Sequence, residues 1–509
     1  MDRRKFLRST GAAGLATAAY GLPGVRSLRA GSGDFDLFRV GIWSGMPNLD
    51  PEQNSIRTCL IAQNWIFDPL LWRNAETNEL EPYLAEEYGF IGDNTWRFKL
   101  REGVKFHNGN PLTAKSVQFS LLRRQNEELA SPNRKAFLDI VEARIVDDYT
   151  VDFVCNNPFP VLPAYLTTFS IMDEQHYSEH PKEFLALNPM GSGPFRLEEF
   201  KPDDILRVTR NDDYWGEMPA MRRVEAPVVL EDATRVAALL SGDLDISPRP
   251  TIEDFERIDA SGVARVSTRI GNRIVLGGFN YAMPPFDNKL VRQALNYAVN
   301  QAEINDVYLK GMAELMAGAL PSTVPGFNPN LEIYPYDPDK ARAMLAEAGF
   351  PNGFETRIEV VPEWLISGME IVQTLVNYLD QVGVKAGLQV YDAGTMGARI
   401  NARESGPIYM LSWGGNSTFD GDSYIQPLFG QGAFSCNDMP EIDEIVKQGR
   451  ATADQAERVA LYQKAGAIVH EEAPWIFLHL QPNTYGVKLT NDWEGRPDEM
   501  IPLGYLNQV

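Results

Sequence analysis

The chain has 509 residues, of which 44% are hydrophobic and 23% are charged, a composition typical of folded globular proteins. Its length exceeds what one hydrophobic core usually serves and predicts two or three structural domains. Residues 1–30 hold six basic residues against one Asp, a net +5, so residues 31–509 carry −27 of the total charge of −22. This acidic balance excludes nucleic acid as a partner, because phosphates require a basic face.

The N-terminus predicts a removable export signal. A basic start, MDRRKFLRST, precedes a short and weakly apolar run, and the segment RSLRAGSGD allows cleavage after Ala30. The run is too short for a membrane-spanning helix, which needs about 20 apolar residues. Residues 3–7, RRKFL, resemble the twin-arginine signal that directs folded proteins to export. We therefore expect residues 1–30 to be removed and the mature protein to be a free, soluble, periplasmic protein.

Strand-like and helix-like segments alternate from residue 34 onward. The segment 38–43, FRVGIW, reads as a short apolar strand that ends at Trp43 before a polar turn. Segment 95–106, TWRFKLREGVKF, alternates apolar and polar residues, as a half-buried strand or hairpin does. Thr113 then precedes a helix whose apolar positions Val117 and Leu121 face inward.

The later half of the chain contains well-delimited helices. Segment 284–301 places its apolar residues on one helical face. A second helix begins at Asp337 and stops at Gly349, and a third ends at Gly383 before a strand. The alternation predicts an α/β architecture with mixed sheets, whose domains are joined by chain crossings and not by flexible linkers.

Motifs for catalysis are missing from the sequence. It contains no G-x-S-x-G, P-loop, G-x-G-x-x-G or H-E-x-x-H pattern. His176 and His180 have the spacing of metal ligands on a helix, but a surface helix is the simpler interpretation in that acidic segment. The three cysteines are far apart and form no C-x-x-C pair. We expect no catalytic residues, no cofactor and no metal; an exported hydrolase stays open as an alternative.

A strand followed by a Gly-rich polar loop, LSWGGNSTFDGD (411–422), favours ligand binding. Trp413 offers an aromatic surface beside Asn416 and Asp420, and stacking combined with directional hydrogen bonds suits a polar organic ligand. A structural turn is the alternative interpretation. Other aromatic residues also lie at strand ends beside polar turns, and we take them as further candidate ligand contacts, namely Trp43, Trp364 and Tyr409.

Six segments, taken in order, point to a known family. They are LDPEQ, PYLAEEYGFIGDNTWRFKLREGVKFHNGNPLTAKSVQFSL, GSGPFRLEEFKPDDILRVTRNDDYWG, AALLSGDLDI, FNYAMPPFDNKLVRQALNYAVNQ and YDPDKARAMLAEAGFPNGF. In these segments the chain resembles the extracytoplasmic solute-binding proteins of peptide, nickel and opine ABC importers, often called family 5. The resemblance spans nearly the whole chain after the predicted signal.

The resemblance implies a periplasmic binding protein fold, with two α/β lobes that close on a ligand by a hinge motion. Lobe one carries an extra subdomain, and the closed form is presented to membrane permease subunits. The expected boundaries are 1–30 for the signal, 34–80 with 190–280 and 480–509 for lobe one, 81–189 for the subdomain, and 281–479 for lobe two.

The same resemblance gives the loop 411–422 a role. Peptide-binding relatives have a Trp here and, three residues later, an Asp that pairs with the ammonium group of the peptide; this chain has Asn416 instead. An amide forms hydrogen bonds but supplies no ion pair, and Asp420 or Asp422 are the candidates to replace it. We expect Trp413, Asn416 and Asp420 to contact the ligand from lobe two, opposite Trp43 and Ser44 of lobe one.

The resemblance therefore predicts a monomeric binding component of an importer for a short peptide or similar polar solute. An oligosaccharide or opine binder of the same family is the nearest alternative, favoured by Asn416 and the supply of aromatic residues. A chaperone-like role in the periplasm is a further possibility that the sequence leaves open.

Overall fold

A computed structural model describes residues 36–74, 77–129, 131–415, 418–432, 434–437 and 439–505. The predicted export signal and Asn416 lie outside the described residues. Residues 35–509 form one compact unit, and the fold is mixed α/β with two lobes, as predicted.

The strands are, in chain order, β1 (Phe38–Arg39), β2 (Leu71–Arg73), β3 (Leu80–Pro82), β4 (Ala85–Gly92), β5 (Thr95–Leu100), β6 (Ile140–Asp147), β7 (Thr150–Cys155), β8 (Phe195–Lys201), β9 (Ile205–Arg210), β10 (Arg223–Pro227), β11 (Ile246–Pro248), β12 (Ala264–Phe279), β13 (Glu314–Leu315), β14 (Phe354–Val360), β15 (Val384–Val390), β16 (Ile408–Trp413) and β17 (Trp475–Lys488).

The helices are α1 (Arg57–Ile66), α2 (Ala114–Gln125), α3 (Leu162–Tyr165), α4 (Glu174–Glu179), α5 (Lys182–Leu185), α6 (Asp232–Ser241), α7 (Phe255–Asp259), α8 (Lys289–Tyr297), α9 (Gln301–Leu309), α10 (Pro338–Glu347), α11 (Gly368–Gln381), α12 (Ala393–Asn401), α13 (Asp422–Phe429), α14 (Pro440–Ala451) and α15 (Gln455–Glu472).

Local signals explain several of these elements. Helix α10 begins after Asp337, whose carboxylate accepts from the Lys340 N–H at 2.8 Å, and Pro338 fills its first position. Helix α11 ends just before Gly383, whose φ of +88° suits glycine. The predicted strand 38–43 is shorter than expected: only β1 forms a ladder, because Val40 and Ile42 make isolated bridges to two different segments.

Lobe one is built on a four-stranded sheet of order β1-β10-β9-β8, in which β1 pairs parallel with β10. Its buried core includes Phe38, Trp65 from α1 and Val224, together with Val487 from the end of β17. A second, antiparallel sheet of order β4-β5-β7-β6 packs against α2 through a separate core. This second sheet lies within the segment predicted as the extra subdomain; the boundaries themselves remain a prediction.

Lobe two is built on a seven-stranded sheet of order β11-β17-β12-β16-β14-β15, with β13 also paired to β17. Strands β12 and β17 are 16 and 14 residues long and pair with each other over most of their length. Their residues contribute to the cores of both lobes, Ile274 in lobe two and Val487 in lobe one. The two lobes are thus joined by a pair of continuous strands, and the site described next lies beside this crossing.

Candidate ligand-binding cleft

The crossing strands are interrupted by a β-bulge. Ile270 pairs with Pro482 and Ile274 with Leu480, so three residues of β12 face a single residue of β17. Bulges change the direction in which side chains project and are frequent beside functional sites. Here the bulge presents Asn272 and Arg273 at the junction of the lobes.

Asn272 joins the bulge to the loop that follows β16. It is fully buried, and its side-chain amide donates to the carbonyl of Gly414 at 2.8 Å. Its own backbone carbonyl accepts from the Tyr424 hydroxyl at 2.5 Å. The backbone after Trp413 is therefore held against the crossing strands.

Arg273 belongs to a charged cluster at the crossing. One carboxylate oxygen of Glu499 lies 3.0 Å from an Arg273 guanidinium nitrogen and 3.4 Å from Arg57 Nε. Burial by itself would raise the pKa of Glu499, but Arg273 and Arg57, with a smaller contribution from Arg249, lower that pKa to about 2. Glu499 is therefore ionised at neutral pH and shared among several cations.

Arg249 is the unusual member of this cluster. It follows β11 between Pro248 and Pro250, its φ is +55°, and its backbone N–H donates to the Thr484 carbonyl at 2.8 Å. The side chain is half-buried, and burial lowers the pKa of its guanidinium. Among the residues that the structure describes, that guanidinium has no hydrogen-bond or ion-pair partner. Backbone strain of this kind is found preferentially at functional sites.

A cavity of about 470 Å³ opens beside Arg249. Trp43, which packs against the lobe-one core, lines one part of it, and Leu365, which belongs to the lobe-two core, lines another. The other lining residues are Leu230, Asp232, Arg235, residues 249–253, Glu363, Ile366, Ser367, Glu370 and Thr484. A narrow neighbouring pocket shares Trp43 and Arg249 with this cavity and reaches Glu499. The volume falls in the range of small-molecule sites, which are about 300–1,000 Å³, so the cleft can enclose a solute of moderate size.

Trp43, a predicted site residue, lies in this cleft. Its ring is half-buried against the lobe-one core, and its indole N–H has no partner within the described ranges. Ser44 faces helix α1 instead, with its hydroxyl 3.1 Å from that of Thr58. Trp364 is half-buried in the lobe-two core, while its neighbours Glu363 and Leu365 line the cavity.

Trp413 has a structural role in addition to any contact with a ligand. Its indole N–H donates to the Ser423 carbonyl at 2.7 Å, and its ring lies 4.6 Å from that of Phe434. The ring remains half-buried, at the end of β16. Part of the Trp413 ring therefore packs against Phe434, and its indole N–H holds the segment that follows β16 in place.

One predicted ligand contact, Tyr409, needs correction, and a second, Asp420, has a partner inside the protein. Tyr409 is completely buried, and its hydroxyl donates to the Phe434 carbonyl at 2.8 Å, so it is a core residue. Asp420 is also buried, and both of its carboxylate oxygens accept from Arg458, at 2.9 and 3.0 Å. The polar loop 411–422 has the composition of a ligand-binding loop, but in the structure its Asp420 carboxylate pairs with Arg458.

The remaining chemistry-bearing residues have ordinary structural partners. His176 and His180 both face backbone carbonyls, those of Asn188 at 2.8 Å and of His176 at 3.0 Å. No cluster of His, Cys, Asp and Glu among the described residues is arranged to hold a metal ion. In the same described part of the chain, no helix is both long and apolar enough to span a membrane.

Comparison with known proteins identifies the family. Residues 79–435 match the family model described as "Bacterial extracellular solute-binding proteins, family 5 Middle". The chain belongs to this family. The glutathione-binding protein GsiB of Pectobacterium atrosepticum is 30% identical over 464 residues, which cover 86% of this chain and 87% of that protein.

Solved structures show the same fold. The periplasmic binding protein DppA of Helicobacter pylori, in complex with the peptide STSA, has a TM-score of 0.79 at 24% identity and covers 93% of this chain and 98% of its own. The binding protein AgaA from Agrobacterium tumefaciens R10, in complex with agropinic acid, has a TM-score of 0.77 at 24% identity, covering 92% of this chain and 97% of its own. The fold of this family 5 protein is therefore that of two-lobed periplasmic binding proteins.

A second contact joins the lobes of this solute-binding protein. The hairpin β2–β3 carries Arg73, which donates to the Thr418 carbonyl at 2.6 Å and places its guanidinium carbon 4.9 Å from the Phe419 ring centre. Asn78, on the same hairpin, donates to the Thr323 carbonyl at 3.0 Å. A groove of about 780 Å³ runs alongside. The lobes thus touch at a point separate from the crossing strands.

The charged cluster shows what sequence reasoning missed. Its members Arg57, Arg249, Arg273 and Glu499 lie in four distant parts of the chain, and no spacing rule connects them. The one local signal was Arg249 itself, because an arginine between two prolines, in SPRPT, has a restricted backbone and no place within a regular strand.

Proposed function

We propose that the mature chain is the solute-capturing component of an ABC importer. It binds a short peptide or similar polar solute between its lobes and delivers it to permease subunits in the membrane. The observation that carries this proposal is the cavity of about 470 Å³ lined from both lobes. Because Trp43 and Leu365 belong to different lobes, a solute held between them favours the closed form over the open one.

Capture and release, without turnover, are the whole of the proposed activity. No activated nucleophile or acid–base pair was found in the sequence, and the cleft residues described above are suited to hydrogen bonding and ion pairing. Steady formation of product from any bound peptide or glycoside, proportional to protein concentration across independent preparations, would contradict this part of the proposal.

The test is whether the protein retains and rebinds small molecules. Protein purified from the periplasm is denatured, and the released small molecules are collected and identified by mass spectrometry. This pool is then added to refolded, ligand-free protein in a thermal unfolding assay. A solute at 100 times its Kd stabilises the folded state by about 2.7 kcal/mol, and a released pool that gives no stabilisation would refute solute capture.

An opine or oligosaccharide is the second candidate solute, and it rests on Asn416. An amide at this position lacks the charge that pairs with a peptide's ammonium group. Replacing Asn416→Asp should strengthen binding of a solute with a free ammonium group and weaken binding of a neutral sugar. Calorimetry with each class distinguishes the two candidates.

Export by the twin-arginine route is also proposed, on the basis of residues 3–7. A variant with Arg3→Lys and Arg4→Lys should leave uncleaved precursor in the cytoplasm. Cell fractionation measures this directly, and normal export of that variant would overturn the assignment.

A further inference from the structure

The charged cluster at the crossing contains more positive than negative charge. Arg57, Arg249 and Arg273 surround a single carboxylate, that of Glu499, and the side chains of Arg57, Arg273 and Glu499 are only 17%, 24% and 10% exposed. Charges removed from water without a partner are costly, and buried charges in proteins are normally paired. Three guanidinium groups and one carboxylate leave an excess positive charge at this place, and we therefore expect a further anionic group to neutralise part of it.

The buried arginines in the described residues have hydrogen-bond acceptors. Arg123 pairs with Asp50 and Arg124 with Glu52. Arg292 donates to the Glu472 carbonyl at 2.9 and 3.0 Å. Arg249 differs, since it lines the cavity and its guanidinium has no hydrogen-bond acceptor among the described residues.

The carboxylates around the cavity do not supply the missing partner. Asp232 is bonded to Arg235, and Glu253, Glu363 and Glu370 are exposed at the cavity mouth. Water screens exposed carboxylates, so they do little to neutralise a charge held deeper in the cleft. The cavity lining thus combines Arg249, which has no hydrogen-bond acceptor among the described residues, with three exposed glutamates that water screens.

We propose that Arg249 binds a carboxylate of the captured solute and selects for solutes that carry one. This proposal rests on the proposed function. The planar guanidinium presents parallel donors that match the two oxygens of a carboxylate. Trp43, which lines the same cavity, offers an aromatic surface to the neighbouring part of the solute. The carboxylate of the solute then lies at Arg249, and any cationic group of the solute lies near the exposed glutamates Glu253, Glu363 and Glu370.

The test uses the small-molecule pool released by denaturing the periplasmic protein as its probe. One portion is left unmodified, and in a second portion carbodiimide and methylamine convert carboxylates to methylamides. A third portion is treated with alkaline phosphatase, which removes phosphate esters but leaves carboxylates intact. Each portion is titrated into ligand-free protein, and the dilution that gives half-maximal thermal stabilisation is recorded.

The unmodified and phosphatase-treated portions should stabilise the wild type equally, and the amidated portion should need at least about 30-fold more material, as expected for loss of a buried charged hydrogen bond. The variant Arg249→Gln should need about 30-fold more of the unmodified portion. The matched control is Arg144→Gln, on an exposed residue paired with Glu142 on β6, and it should behave as the wild type does.

Two results would overturn the assignment of Arg249. One is equal stabilisation of the wild type by the amidated and unmodified portions, which needs no variant to fold. The other is a wild-type titration for Arg249→Gln. Loss of stabilisation by the phosphatase-treated portion alone would assign the partner to a phosphate and also refute the carboxylate. No stabilisation by the unmodified portion would instead refute solute capture itself, so the two failures are distinguishable.

Discussion

Asp420 and Arg458 form a buried ion pair whose loss should lower the stability of the ligand-free protein. Asp420 is 8% exposed and Arg458 2% exposed. The same guanidinium also donates to the Gly449 carbonyl at 3.1 Å and to the Gln455 side chain at 3.0 Å. Asp420 therefore anchors the loop after β16 to α14 and α15. The substitution Asp420→Asn keeps the shape of the side chain and removes its charge.

The expected cost follows from the burial of the pair. Breaking a buried ion pair by changing one partner typically costs about 3–5 kcal/mol, because the other charge is left without compensation. Unfolding entropy is about 2.1 cal/mol/K per residue, or roughly 1 kcal/mol/K for a unit of residues 35–509. The Tm of the Asp420→Asn protein should thus fall by about 3–5 °C.

Thermal unfolding of ligand-free protein measures this effect. The matched control is Glu142→Gln, which removes an exposed ion pair with Arg144 and should change Tm by less than about 1 °C. A double variant, Asp420→Leu with Arg458→Met, should regain part of the lost stability, since apolar residues can replace a buried pair. If Asp420→Asn instead melts as the wild type does and loses only solute binding, the carboxylate is a ligand contact and the reasoning fails.

Three further predictions concern the cleft. Replacing Trp413→Phe removes the hydrogen bond to Ser423 and should cost about 1 kcal/mol of unfolding free energy, measured by urea denaturation. Replacing Arg73→Ala removes the bond to Thr418 and should shift the ligand-free protein toward an open form, seen as a larger radius of gyration in X-ray scattering. The pKa of Glu499, about 2 in the fold and 4.5 in the unfolded chain, gives stability that is complete above pH 4.5 and lost toward pH 2. Glu499→Gln should therefore differ most from the wild type near pH 6, and the two should converge near pH 2; a constant difference would contradict the assigned pKa.

The helices were predictable where the signals for their ends are local. Asp337, Pro338 and Gly349 delimit α10 within a dozen residues, and the structure confirms both ends. Strand β5 likewise follows from alternation, with Phe98 and Leu100 fully buried. The strand at residues 38–43 was overestimated, because its pairing depends on two partners more than 180 residues away.

The site was predictable only in part, for a physical reason. Trp43 follows a short apolar segment, so its place directly after the last bridge of that segment, at Ile42, could be inferred. Tyr409 and Asp420 were assigned by composition, which does not reveal whether a polar group already has a partner inside the protein. The charged cluster depends on a bulge between β12 and β17, and a bulge arises from the register of two strands that are remote in sequence.

The charge of the whole chain and the charge of its cleft act on an anionic solute in opposite ways. Residues 31–509 carry −27, so the surface does not attract an anion from a distance. At physiological ionic strength, however, the Debye length is about 8 Å, and exposed charges act over little more than that distance.

Arg249 lines a cavity of about 470 Å³, where screening by salt is weak and a direct ion pair is strong. Selection for an acidic solute therefore has to come from contacts formed inside the cleft after encounter, and these contacts chiefly slow its dissociation. Such a protein gains selectivity when the lobes close, because closure removes water from the Arg249 guanidinium, which has no hydrogen-bond acceptor among the residues that the structure describes.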